Sequence, residues 1–173
     1  MPNSEALGDV LDVCIGAAPV DLSSAAVTGK RVSLKNCSGV SIVVVKGAGT
    51  AGDDPTFTLK QYTAASSGAT ADLPIIDHYY VKDATALAGT EKWVKVTQAA
   101  AATVADPGGA GTSAEHQQVL VIEVRTDQLS DGYGYVGLDV ADVGSNAQLG
   151  AVLYVRHHLN ERRAPANLPA SLA

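Results

Sequence analysis

Residues 40–62 read Val40-Ser-Ile-Val-Val-Val-Lys46, then Gly47-Ala-Gly-Thr-Ala-Gly-Asp-Asp-Pro55, then Thr56-Phe-Thr-Leu-Lys-Gln-Tyr62. Ser41 is the only polar residue between Val40 and Val45, so an extended chain here is apolar on both sides, the pattern of a strand covered on both faces. Past the glycines the pattern changes. Phe57, Leu59 and Gln61 fall on one side, while Thr56, Thr58, Lys60 and Tyr62 fall on the other, the period-2 signature of a half-solvated strand. The Gly- and Asp-rich stretch between them is a turn too long for a two-residue hairpin, and the plain expectation is a β-meander with a long tip.

The same glycines imitate a nucleotide motif. Gly47-x-Gly49-x-x-Gly52 follows an apolar strand, and Asp72 lies twenty residues beyond the last glycine, as in half of a dinucleotide fingerprint. That chemistry needs a helix to open directly after the glycines, because the helix N-terminus holds the pyrophosphate. Asp53-Asp54-Pro55 and a strict alternation follow instead, and two carboxylates repel phosphate. The stretch reads as a flexible turn.

Outward from this centre the alternation recurs. Strands are expected at Val10–Ile15, Arg31–Lys35, Ile75–Lys82, Glu91–Thr97, Gln118–Arg125, Tyr133–Val140 and Ala151–His157. Val32 and Leu34, then Leu120, Ile122 and Val124, then Val136, Leu138 and Val140 are the inward sets. Gln98–Asp106 is Ala-rich with no amphipathic face and runs into Pro107-Gly108-Gly109, so it reads as an exposed excursion rather than a core element. No long periodic helix is present, and eight or nine strands joined by turns predict an all-β single domain, a β-sandwich or jelly-roll-like barrel. Residues 1–9 read as an N-terminal arm, 10–159 as the domain, and 160–173, with Pro165 and Pro169, as an extended C-terminal arm leading away from it.

Composition narrows the classes. The chain has 173 residues, enough to bury an ordinary core, and aromatics make up only 5% of it. A formal charge of −6 disfavours a phosphate backbone as partner, so no nucleic-acid role is expected. Asp9 and Asp12 interrupt the apolar residues near the N-terminus, where no basic region stands, which predicts neither a signal peptide nor a membrane span and places synthesis in a cytosol. Cys14 and Cys37 lack metal-ligand spacing and read as free thiols, with a bridge between them as the alternative.

Candidates for chemistry are few. His157 and His158 are adjacent on an expected strand, which sends their rings to opposite faces and away from a common ion. Asp77-His78 comes without a nucleophile elbow, and His116 beside Glu115 lies in a Gly-rich loop. Asp53 and Asp54 lack the spacing of a calcium loop. These residues call for no catalytic site, metal or cofactor. Trp93, Tyr133 and Tyr135 sit on the polar side of their strands by parity, and large aromatics on a polar face anchor protein contacts, so they are the candidate interface residues. Arg162 and Arg163 make the tail locally basic on an acidic protein and join them as candidates for an acidic partner surface.

Two longer stretches, Arg31–Pro55 and Ala141–Val155, together with Asp77–Lys82 and Trp93–Gln98, resemble small virion proteins encoded in the structural-gene regions of tailed bacteriophages. The resemblance spans about residues 10–158 and carries no catalytic motif. It implies a virion protein made in the host bacterial cytoplasm, most simply a capsid decoration or cement protein. Its partners would then be the major capsid protein and further copies of itself, in a homo-oligomer such as a trimer. A tail-tube, neck or head-completion component, or a carbohydrate-binding β-sandwich module, is the alternative.

Overall fold

The computed structural model describes residues 6–144 and 146–172. Eleven strands are found among them: β1 (Leu11–Asp21), β2 (Val32–Ser33), β3 (Cys37–Lys46), β4 (Thr56–Tyr62), β5 (Thr70–Asp72), β6 (Ile76–Ala84), β7 (Val94–Ala101), β8 (Thr103–Ala105), β9 (Gln117–Arg125), β10 (Tyr135–Val140) and β11 (Leu149–Leu159). Eight or nine were expected. The surplus is β5 and β8, strands of three residues, too short to show an alternation.

The strands form a six-stranded sheet in the order β1-β11-β3-β9-β6-β7 and a five-stranded sheet in the order β2-β10-β4-β5, with β8 added to β4. The β1-β11-β3-β9 and β2-β10-β4-β5 quartets have the strand order of a jelly roll, in which successive strands mostly cross between sheets. Strands β6, β7 and β8 are inserted between its fifth and sixth strands, and β6 and β7 widen the first sheet. This answers the choice between sandwich types that the alternation left open.

The central stretch behaves otherwise than a meander. β3 pairs with β11 and β9, whereas β4 pairs with β10, β5 and β8. Residues 47–55 therefore carry the chain from one sheet to the other, and β4, not a helix, follows the glycines. The crossing is pinned from the far side of the chain: Asp54 Oδ1 accepts hydrogen bonds from Ser113 Oγ (2.6 Å) and the Ala114 N–H (3.0 Å).

Between the sheets lies a single apolar core. Val40, Ile42 and Val44 meet Phe57, Leu59, Val136, Leu138, Leu120 and Ile122, all essentially sealed from water, as the alternation predicts. Tyr154 is buried among them with its hydroxyl hydrogen-bonded, donating to the Lys30 carbonyl and accepting from the Leu138 N–H.

Two further expectations fail. Residues 98–106 are not an excursion: β7 runs through Ala101, and the chain turns at buried Ala102 into β8 on the other sheet. Gln98 holds this corner, its Nε2 donating to the Ile76 and Thr103 carbonyls, and the pairing of β7 with β6 overrides the helical propensity of the alanines. Nor does the tail lead away. Ser171 is buried, its carbonyl accepts from the Ser33 N–H (2.9 Å), and Leu172 bridges to Val32. Prolines bar 160–172 from a long strand but not from lying along the end of the sandwich. In the expected N-terminal arm, residues 1–5 lie outside the described residues, while buried Gly8 accepts through its carbonyl from the Arg163 N–H.

Candidate protein interface

The outward face of the six-stranded sheet carries an unusual number of apolar side chains. Strand register places Ile15, Leu153, Val43, Val121 and Tyr80 side by side across β1, β11, β3, β9 and β6. One step along, Ala151, Val45 and Val119 form a parallel row ending at Lys82, and on the other side Val13 and Val155 continue it to Ser41 and Glu123. Their chain neighbours Ile42, Val44, Val152, Leu120 and Ile122 point into the core, so these side chains face out by the pleat. Val13, Ile15 and Val45 are 47%, 46% and 43% exposed. A patch of contiguous apolar side chains on an otherwise acidic exterior is the mark of a surface that is covered in use.

The double-sided apolarity of Val40–Val45 thus has a different cause from the one expected. Its second face is open in the single chain rather than packed inside it. The unbroken runs Val119-Leu-Val-Ile122 and Ala151-Val-Leu-Tyr-Val155 carry the same signal. Sequence reasoning missed this surface because an apolar row reads alike whether its own chain or another covers it.

The five candidate interface residues do not converge. Trp93, 49% exposed, stands beside the apolar face, with Lys82 Nζ 5.0 Å from the centre of its ring. Tyr133 and Tyr135 are half-buried at the five-stranded sheet, where Tyr135 lines a cleft of about 360 Å³ with Lys35, Thr126 and Asn160. Arg162 pairs with Asp9 (3.4 Å) and Arg163 with Glu161 (2.8 Å), so much of the tail's basic charge is answered within the chain.

No family model, curated protein or solved structure matches the chain.

His116 Nδ1 lies 2.9 Å from Asp83 Oδ2, and His78 Nδ1 lies 2.5 Å from Asp77 Oδ1. Both arrangements orient an imidazole; nucleophilic catalysis would further require a hydroxyl or thiol on the other ring nitrogen, and no such hydrogen bond is found among the described residues. The His157–His158 pair overturns its expectation. His158 has φ +53°, which breaks the strand's alternation and swings the two rings together, Nδ1 to Nδ1 at 2.9 Å. Burial, then the neighbouring His158, holds His157 below the usual histidine range. Cys14 and Cys37 are free thiols, and burial raises Cys14.

Lys46 is the buried cation nearest the crossing loop. Its Nζ donates to the carbonyls of His116 (2.6 Å) and Gly47 (3.1 Å), and burial lowers its pKa from 10.5 to about 8 against the opposing pull of Asp83, Asp54 and Glu115. Because the folded value lies below the unfolded one, the unfolded chain holds more protons between them, and this group's contribution to stability rises as pH climbs from about 8 towards 10.5. Lys46→Met, which cannot titrate, isolates the effect. Relative to that variant, the wild type is expected to gain about 2 kcal/mol between roughly pH 7.5 and pH 9.5 in urea unfolding. An unchanged difference would mean that Lys46 reaches water.

Proposed function

We propose that this chain is a non-enzymatic structural protein of a tailed-bacteriophage virion that decorates and cements the capsid shell as a homo-oligomer, a trimer in the simplest case. The observation that carries the binding role is the apolar outward face of the six-stranded sheet, whose cover we assign to a neighbouring copy of the chain. A face with an apolar centre, bordered by Lys82 and Glu123, suits a permanent contact between copies made together, while the rest of the surface is acidic. The virion assignment rests on the resemblance of Arg31–Pro55 and Ala141–Val155 to phage structural proteins. The jelly-roll strand order is compatible with it by analogy only, since that architecture serves capsid and lectin domains alike.

Light scattering of the purified protein tests the self-association. The wild type is expected to run as an oligomer, and Val43→Glu, which puts a carboxylate in the middle of the face, to run as a monomer with its fold intact. A wild type that stays monomeric at micromolar concentration would reject the assignment of this face. Micrographs of particles with and without the protein test the role itself: loss of surface protrusions and weakened heads are expected, and unchanged heads would refute it.

A further inference from the structure

Near the end of β11 two imidazoles converge where a regular strand would part them. His157 belongs to the outward face, in a row with Leu11 on β1, Gly39 on β3 and Arg125 on β9. His158 would point to the other face, yet its φ of +53° brings its ring round, and the two Nδ1 atoms stand 2.9 Å apart with the rings nearly perpendicular at 84°. Among the described residues only Asp106 shares a positive φ outside glycine, a conformation uncommon for a residue that carries a side chain. The first ring has its place fixed as well. A Cβ on Gly39 would stand 2.9 Å from His157 Cε1 and 3.3 Å from Nε2, so the ring rests on bare backbone, Nε2 against β3 and Nδ1 turned to its neighbour.

Nitrogens so placed share a proton when the site is empty and are spaced to share a metal ion. Two metal–nitrogen bonds of about 2.05 Å meeting at a right angle span about 2.9 Å, whereas a tetrahedral ion opens the pair to about 3.3–3.4 Å. The separation therefore suits the square or tetragonal coordination of copper(II) and nickel(II) better than that of zinc. Charge agrees with a cation. Glu123 acts on His157 as a nearby anion, and Arg125, the cation in the same row, is held by Asp127 at 2.9 Å. The site is open to solvent, with His158 exposed and His157 partly so. Among the described residues no third His, Cys, Asp or Glu closes it, which leaves the remaining positions to water. We propose that His157 and His158 form a two-histidine chelate for a late divalent transition-metal ion, copper(II) foremost. Both ligands come from one chain, so the site stands apart from the virion assignment and from self-association.

The test titrates copper(II) into the untagged full chain at neutral pH and follows the bound ion by electron paramagnetic resonance, whose nitrogen splittings count the imidazoles on it. One ion per chain carrying two such nitrogens is expected, in the wild type and in Val43→Glu alike, so that cover of the outward face by a second copy does not hide the site. His158→Asn keeps a residue tolerant of the left-handed backbone and removes one ligand, and His157→Gln removes the other. Each is expected to leave one nitrogen at most and to weaken binding at least about tenfold, because a chelate loses its effective concentration with either arm. His78→Ala, which removes an imidazole elsewhere, is expected to change nothing. Nickel(II) is expected to bind more tightly than zinc(II). An affinity unchanged in either ligand variant, loss of the two-nitrogen signal in His78→Ala, a signal with fewer than two nitrogens in both the wild type and Val43→Glu, or zinc(II) held more tightly than nickel(II) would each overturn the proposal.

Discussion

Tyr154→Ala is expected to lower the unfolding free energy by about 3–5 kcal/mol, the range for deleting a fully buried aromatic ring. The side chain is 0% exposed, so the surrounding strands must either collapse into the space or leave a cavity. Tyr154→Phe separates ring from hydroxyl. It leaves the Leu138 N–H and the Lys30 carbonyl without their partner, 3.0 and 2.9 Å away in the wild type, and is expected to cost about 1–3 kcal/mol. Gly16 supplies an internal control, because a Cβ there would come within 2.5 Å of Tyr154 Cζ. Gly16→Ala is therefore expected to be damaging alone and much less so on the Tyr154→Ala background, a non-additivity that urea unfolding of the four proteins measures. Additive losses would show that the ring does not fill the space over Gly16.

The second large effect lies at the Asp12–Arg156 pair. The two residues face each other across β1 and β11, with side chains 11% and 4% exposed. Asp12→Ala strands a buried guanidinium and is expected to cost about 3–5 kcal/mol. Asp12→Leu/Arg156→Met, which removes both charges and keeps apolar volume, is expected to lose far less than either single change, because the pair's attraction only offsets the cost of desolvating it. Single variants within 1 kcal/mol of wild type would mean that water reaches the pair.

Much of the core was legible in residue alternation. Val136, Leu138 and Val140, Leu120, Ile122 and Val124, and Phe57 and Leu59 face inward as read, because an extended chain leaves no other way to bury them. The interface was half legible. Trp93 borders the apolar face, but its substance was not legible: Val43 lies in a run that reads as covered on both faces, and the outward side of Val121 and Val13 does not by itself say that their strands lie side by side.

By itself the sequence determined an all-β domain and which side of most strands is apolar, for these follow from period and turn residues along a single stretch of chain. Tertiary structure alone decided which sheet each strand joins, that residues 47–55 cross between sheets, and that the tail returns to cap Arg156. Those outcomes depend on pairings such as β3 with β11 and Val32 with Leu172, between residues more than a hundred positions apart. Local pattern does not encode them, because the hydrogen-bonding edge of one strand accepts any other strand, and only the joint burial of both apolar faces selects the partner.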